Sequence, residues 1–161
     1  MGNCPVIEIH EVRRAQLGEL AELCRAHAEY DRRFEPAIDP LPADLAERLD
    51  RLLFTEKSLL CLVAEEDGEL LGYVSGFAAP STWRGDTYYT MDCLYIAESR
   101  RGARLGPRLM DAMRAAAESA HAGRLRWQTP LHNGQSKGFY AHYGAGNGLG
   151  HADKRTYVLP L

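Results

Sequence analysis

Residues 94 to 110 hold the densest run of side chains able to do chemistry. Leu94-Tyr95-Ile96 is an apolar strand segment, and Arg100-Arg101-Gly102-Ala103-Arg104-Leu105-Gly106-Pro107 follows as a basic, glycine-bearing turn that opens a helix. A turn of this kind directs several backbone N–H groups at one point, and the positive end of the helix dipole adds to them, so it suits a pyrophosphate. Pro107 marks the boundary, because proline is accommodated in the first turn of a helix, where its missing N–H has no partner to lose. The alternative is an ordinary solvated helix start. The candidate cradle is Arg101, Gly102, Ala103, Arg104, Leu105 and Gly106.

A second block follows: Trp127-Gln128-Thr129-Pro130, Asn133, Phe139-Tyr140 and Gly144-Ala145. Together the two blocks resemble the GNAT superfamily of N-acetyltransferases, which move an acyl group from acyl-coenzyme A to an amine. The resemblance runs from about residue 6 to 159 and is strongest over residues 92 to 145. Within the superfamily the chain looks closest to the diamine and polyamine (spermidine/spermine, thialysine) branch. The family loop, Gln/Arg-x-x-Gly-x-Gly/Ala, is matched by Arg101 to Gly106, with Arg104 at the position that usually holds the middle glycine. A side chain there either restricts the backbone and distorts the loop, or keeps helical angles and lends a guanidinium to the phosphates; the second reading is preferred.

The resemblance implies a set of roles. An alkylammonium has a pKa of about 10.4, so at neutral pH only roughly one molecule in a few thousand is nucleophilic, and a base is needed. Asp92, ahead of Cys93-Leu94-Tyr95-Ile96, occupies the place of an acidic residue that helps deprotonate the amine, and its short side chain favours relay through water. Its alternative is a structural cap or a partner for a surface arginine. A strand bulge near Cys93-Leu94 would free a backbone N–H for the developing oxyanion. Leu94, Tyr95 and Ile96 line the thioester, Asn133 faces the pantetheine arm or simply caps a helix, and Tyr140 is the general acid for the departing thiolate or else a core residue.

The acceptor is implied to be a small primary amine. Ala28-Glu29-Tyr30-Asp31 and Trp83-Arg84-Gly85 resemble segments of diamine acetyltransferases. From Glu29 to Asp50 seven acids stand against three arginines, which is either a solvated acidic cap or a field for a cation. Glu29 and Asp31 would hold the ammonium, with Tyr30 or Trp83 on its alkyl stem. A polyamine, a diamine or a lysine-like amino acid fits this best. The rivals are a protein lysine or N-terminal acetyltransferase, and an acyl-coenzyme A binding or sensing module without turnover. Many members of the resembled branch are homodimers.

The rest of the chain bounds these expectations. Its 161 residues match one domain, 1–161, with ordinary globular composition. A net charge of −3 speaks against nonspecific nucleic-acid binding. Four scattered cysteines without a Cys-x-x-Cys pair point to a reduced, cytoplasmic protein. No apolar run approaches a membrane span, and Val6 stands where an N-terminal myristoylation signal needs Ser or Thr, so no membrane partner is expected. The six histidines show no ligand spacing, so no metal is expected; His27 and Cys93 are assigned to packing.

To position the candidates, periodicity predicts strands over Val6–His10, Leu59–Glu66, Leu70–Ala79, Thr87–Ile96, Leu125–Thr129 and Arg155–Leu159. Helices are predicted over Arg13–Glu29, Ala43–Leu53, Arg104–His121 and from Asn133 through Tyr143. The order β-α-α-β-β-β-α-β-α-β is a mixed α/β (α+β) fold with a mostly antiparallel sheet, as in the acetyltransferase fold.

Overall fold

The structure, a computed structural model, describes residues 6–152 and 156–159. The chain divides into two compact units with the boundary between Pro130 and Leu131.

The first unit is built on a five-stranded sheet in sequential order. Strands β1 (Glu8–Glu11), β2 (Leu60–Glu66), β3 (Glu69–Ser81) and β4 (Asp86–Ile96) pair antiparallel, and short β5 (Leu125–Arg126) joins β4 in parallel. The Asp67-Gly68 turn between β2 and β3 has positive φ at both residues, as a tight hairpin requires. Helices α1 (Leu17–Asp31) and α2 (Leu45–Asp50) connect β1 to β2, and α2 runs on into a wide turn, Arg51–Thr55. Pro36, Pro40 and Pro42 fall in the link between them, where a helix cannot continue.

Period-two alternation divides the two faces of the sheet. Leu17, Leu20 and Tyr30 of α1 share a core with Val12, Cys61, Val63, Leu70, Tyr73 and Tyr95, against which Leu49, Leu53 and Phe54 also pack. Helix α3 (Leu105–Ser119) packs against β2, β3 and β4, with Leu105, Leu109, Met110, Met113 and Ala117 buried at helical spacing. Gly76 faces this helix, since a Cβ there would lie 3.0 Å from the Met113 sulfur.

The second unit contains α4 (Gly134–Gly144) and a glycine-rich turn. A Cβ on Gly144 would come within 2.4 Å of the Leu149 side chain, so the turn folds back onto the helix end at a position that admits no side chain. Asn147 reinforces the turn, donating from its backbone to Gly144 O and from its side chain to Tyr143 O.

Three expected elements differ. Strand β5 spans only Leu125–Arg126, because Thr129-Pro130 turns away from the ladder. Helix α2 ends at Asp50 rather than Leu53, where the backbone hydrogen bonds widen to Glu56 N–H with Arg51 O. The predicted closing strand over Arg155–Leu159 is corrected: residues 156–159 are not in a strand, and Arg155 lies outside the described residues. Cys4 and the predicted absence of a lipid signal at the N-terminus also concern residues of which 1–5 lie outside the described ones.

Candidate active site

Asp92 is the extra residue of a β-bulge. Ser75 pairs with Cys93 and Gly76 with Met91, so two residues of β4 oppose one step of β3 and Asp92 faces no partner across the ladder. The bulge falls one residue before the expected Cys93-Leu94. Its effect is to turn the Asp92 side chain outward to solvent while Met91 and Cys93 stay on opposite faces of the sheet. Gly76 makes the tight approach possible, since a Cβ would meet Thr90 O at 2.6 Å and the Tyr89 ring at 2.9 Å.

From the bulge, β4 leads through Leu94, Tyr95 and Ile96 to a short turn, Glu98–Arg100, and the basic segment. The three guanidinium groups of that segment have separate tasks. Arg100 is ion-paired with Glu66 at the end of β2. Arg101 lies over the Tyr30 ring at 4.2 Å and the Tyr95 ring at 5.7 Å, and donates from Nε to Ile96 O at 3.2 Å. Cation–π contacts of this sort contribute about 0.5 to 2 kcal/mol. Arg101 therefore ties the turn to α1. Arg104 is exposed and makes no hydrogen bond or ion pair with the described residues.

The expectation that Arg104 keeps helical angles is corrected. Its φ of 56° and ψ of 25° are left-handed, the conformation that the usual glycine supplies without cost. The loop thus retains the backbone shape of a glycine-bearing turn, with Gly102 at φ 90°. The N–H groups of Gly102, Ala103 and Arg104 donate to no described backbone carbonyl, and the first turn of α3, with Leu105 and buried Gly106, adds N–H groups that have no partner within the helix. Unpaired donors, a dipole end and one uncommitted guanidinium fit a pyrophosphate, so the residues present suit coenzyme A.

The acceptor candidates separate. Asp31 lies at the end of α1 and faces His27, with its Oδ2 3.3 Å from His27 Nε2. Tyr30 is buried between α1 and the sheet, with the Arg33 guanidinium also over its ring at 5.1 Å, so it anchors the helix instead of standing as an open wall. Glu29 is exposed on another face of α1 and is paired with Arg32 at 2.6 Å. Trp83 is 97% exposed at the β3–β4 turn. It lies in the turn past Ser81↔Asp86, the pair five register positions beyond Gly76↔Met91, so roughly 17 Å or more along the hairpin from the bulge. Asp31 faces His27 and the charge of Asp92 is felt at Cys24, one turn earlier on α1, while Glu29 is turned to Arg32 and Trp83 lies at the far end of the hairpin.

In the second unit, Asn133 is 1% exposed and its Oδ1 accepts the Ser136 N–H at 3.0 Å, which makes it the N-cap of α4. Tyr140 is half-buried on the same helix, its ring 5.1 Å from that of Phe139.

Sequence reasoning passed over His27 and Cys93. His27 uses both ring nitrogens: Nδ1 is 2.8 Å from the Tyr73 hydroxyl and Nε2 faces Asp31. Cys93 Sγ is 3.6 Å from Asp92 Oδ2. Burial pushes the Cys93 thiol up to about 12, the negative charge of Asp92 adding to the effect, and burial also raises the Cys24 and Tyr73 groups. The i, i+4 spacing of His27 and Asp31 was the available signal. Among the described residues no group of His, Cys, Asp and Glu could hold a metal ion, and no helix is long and apolar enough to cross a membrane.

A mixed five-stranded sheet whose fourth strand carries a bulge and leads through a basic, glycine-bearing turn into a helix has the arrangement of the acetyltransferase fold. The sequence matches the model of the Acetyltransferase (GNAT) family over residues 20–145, and the chain belongs to that family. It matches no curated protein. Its fold is similar to that of ribosomal-protein-alanine N-acetyltransferase from Brucella melitensis biovar Abortus 2308, at 22% identity and a TM-score of 0.72 over 96% of this chain and 99% of the other. An aminoglycoside acetyltransferase from an uncultured soil metagenomic sample gives 15% identity and a TM-score of 0.75 over 96% and 97%. A possible acetyltransferase from Clostridium difficile 630 gives 18% and 0.74 over 96% and 97%. The chain is a GNAT acetyltransferase.

Proposed function

We propose that the protein acetylates the primary amine of a small cationic acceptor, a polyamine, a diamine or a lysine-like amino acid, by direct transfer from acetyl-coenzyme A in a ternary complex. The observation that carries this reading is the placement of Asp92: an exposed carboxylate at the bulge of the strand that leads to the basic, glycine-bearing turn.

The cofactor would be held at its pyrophosphate by the backbone of Arg101 to Gly106 and by the Arg104 guanidinium, with Leu94, Tyr95 and Ile96 alongside its arm. When bound, acetyl-coenzyme A supplies an activated thioester carbonyl and a sulfur leaving group. Asp92 accepts the ammonium proton through water, leaving the amine lone pair free to attack. The bulge leaves a β4 backbone N–H free to donate to the carbonyl oxygen as negative charge develops there. Tyr140 donates its hydroxyl proton to the departing sulfur, and Asn133 holds the start of α4. This assignment treats residues 1–161 as one acetyltransferase domain; support comes from the family match, which runs across Pro130 and Leu131 without interruption.

Charge favours a cation. Glu29 is offset by Arg32, but among the described residues Asp92 and Asp31 make no ion pair with a Lys or Arg. The ammonium is attracted by this field, and the same field opposes its deprotonation, so Asp92 must act after binding.

The test is a panel of amines with acetyl-coenzyme A, followed by free thiol release: diamines, polyamines, lysine analogues, an aminoglycoside, neutral amines and a peptide with N-terminal alanine. Diamines or polyamines should give the highest kcat/KM, and Asp92→Asn should depress turnover most at low pH. Neutral amines performing equally well would refute the cationic assignment. Binding of acetyl-coenzyme A with no thiol release for any amine would favour a sensing module.

A further inference from the structure

The function proposed above gives no task to Tyr30, although two guanidinium groups gather on its ring. Arg101 Cζ lies 4.2 Å from the ring centroid and Arg33 Cζ 5.1 Å. Arg33 continues to Glu98, ahead of the basic turn, and donates to its carboxylate from both terminal nitrogens, at 2.7 Å to Oε1 and 3.4 Å to Oε2. Phe34 meets the same ring edge-on, with centroids 5.4 Å apart and planes at 64°. The end of α1 thus grips the segment at two points, Glu98 and Arg101, on either side of Arg100.

The turn needs holding from outside, because its own backbone supplies little. The N–H groups of Gly102, Ala103 and Arg104 donate to no described backbone carbonyl, and the Arg101 N–H lies 3.4 Å from Glu98 O, beyond the usual hydrogen-bond length. Gly102 at φ 90° and Arg104 at φ 56° are both left-handed, which a side chain at 104 disfavours. A loop of this kind keeps its donors convergent where other groups fix its ends. Arg100 is fixed by Glu66, Glu98 by Arg33, and Arg101 by the Tyr30 ring and by Ile96 O. The ring belongs to the core between α1 and the sheet, so it is a firm seat.

We propose that Tyr30 and Arg33 are positioning residues for coenzyme A: from the end of α1 they hold the basic turn in the shape that converges its N–H groups, so that affinity for the pyrophosphate is set partly by α1. This rests on the reading of residues 101 to 106 as the pyrophosphate cradle. The contacts give each effect a sign. Were Arg101 a phosphate ligand withheld by the Tyr30 ring, removing the ring would release it and tighten binding; as a fixed end of the turn, its release weakens binding. Glu98 is a negative charge beside a basic run, so by charge alone its removal would strengthen the hold on a polyanion. Loss of its grip on Arg33 lowers the fraction of turns in the competent shape and weakens binding instead.

Calorimetric titration with coenzyme A itself, with no acceptor and no turnover, reads these signs. Tyr30→Leu should weaken binding about five- to tenfold, and Tyr30→Phe, which keeps the ring face, should stay closer to the parent. Glu98→Gln and Arg33→Gln should each weaken it about two- to threefold, and the double variant should be no weaker than the weaker single, since one contact is lost in all three. Arg33 and Glu98 are exposed, so these variants carry the test if Tyr30→Leu does not fold. In the protein without coenzyme A, nitrogen-15 relaxation should show lower order parameters for the amides of residues 101–104 in Tyr30→Leu and Glu98→Gln than in the parent.

Unchanged or tighter binding in both Tyr30→Leu and Glu98→Gln would overturn the proposal, as would effects of Arg33→Gln and Glu98→Gln that multiply in the double variant. Arg104→Glu, which puts a carboxylate on the turn, separates this failure from that of the underlying reading. Parental affinity in Arg104→Glu would remove the turn from the cofactor site, and the proposal with it. Weakened affinity in Arg104→Glu beside parental affinity in Tyr30→Leu and Glu98→Gln would leave the cradle standing and remove its dependence on α1.

Discussion

Replacing a glycine by alanine should have opposite effects at two positions of this chain. Gly76 sits in β3 opposite Met91, one step before the Asp92 bulge. A Cβ there meets Thr90 O at 2.6 Å, Tyr89 Cε1 at 2.9 Å and Met113 Sδ at 3.0 Å. The first is backbone of β4 and yields only if the strand moves; the other two belong to buried side chains. Overpacking of this kind costs about 1 to 3 kcal/mol, and the restricted unfolded chain returns roughly 0.4 to 1 kcal/mol. With three close contacts and one of them backbone, the net loss falls near 2 kcal/mol, or about 4 to 8 °C in Tm for a chain of this size. Gly18, in α1, has nothing within 4 Å of a Cβ. Gly18→Ala should raise stability by about 0.5 to 1 kcal/mol through helix propensity alone. Urea denaturation followed by circular dichroism reads both variants. Because Gly76→Ala pushes β4 beside Asp92, its kcat should fall while Gly18→Ala keeps that of the parent. A Gly76→Ala protein as stable and active as the parent would refute the tight approach of β3 to β4 on which the bulge argument depends.

Three further outcomes follow from the site. Arg104→Gly relieves a left-handed residue worth about 1 kcal/mol but widens the unfolded ensemble by a similar amount; stability should stay within about 1 kcal/mol while the KM for acetyl-coenzyme A rises about tenfold, and Arg104→Lys should restore affinity in part. Tyr140→Phe should lower kcat about 10²- to 10⁴-fold with little change in cofactor affinity, measured by steady-state kinetics. Burial holds the Cys93 thiol up to about 12, against about 8.5 in an unfolded chain. The native state therefore keeps a proton that the unfolded state loses, so this contribution is fully present below about pH 8.5 and is lost as pH rises toward 12. The urea midpoint should fall steadily from about pH 9 upward, and Cys93→Ala should flatten that fall.

The sequence made the frame readable where local chemistry decides. Asp67-Gly68 specifies its own turn, the basic segment and Pro107 specify the start of α3, and Asn133 supplies a cap that Ser136 uses. Strand and helix order followed from these signals and from periodicity. What escaped depends on contacts distant in sequence. Arg100 and Arg101 looked equivalent to Arg104 in a basic run, yet Glu66 and Tyr30, each more than thirty residues away, claim the first two. Trp83 looked like an acceptor wall by its neighbours Arg84 and Gly85, but its place depends on how far β3 and β4 extend, and they extend to Ser81 and Asp86. The acidic run after α1 looked like a cation field by count; the structure cancels Glu29 against Arg32 on the same helix.

The same dependence on distant partners explains why the bulge matters more than the identity of the acid it carries. In a regular antiparallel strand successive side chains alternate between faces, so Asp92 between Met91 and Cys93 would be forced into one of two buried layers, where an ionised carboxylate without a cation is costly. The extra residue removes that constraint: Met91 keeps the α3 side, Cys93 the α1 side, and Asp92 is released to the surface at the point where the backbone ladder is also interrupted. One insertion in register therefore brings an exposed carboxylate and an interrupted ladder to the same point, the two features on which the proposed transfer depends. Glycine at 76 is what lets β4 come close enough for this to happen, and the neighbouring Cys93 thiol, its Sγ 3.6 Å from Asp92 Oδ2, lies beside the released carboxylate. A chain that kept Asp92 but lost the bulge would keep the residue type and lose the exposure on which its proposed role as proton acceptor depends.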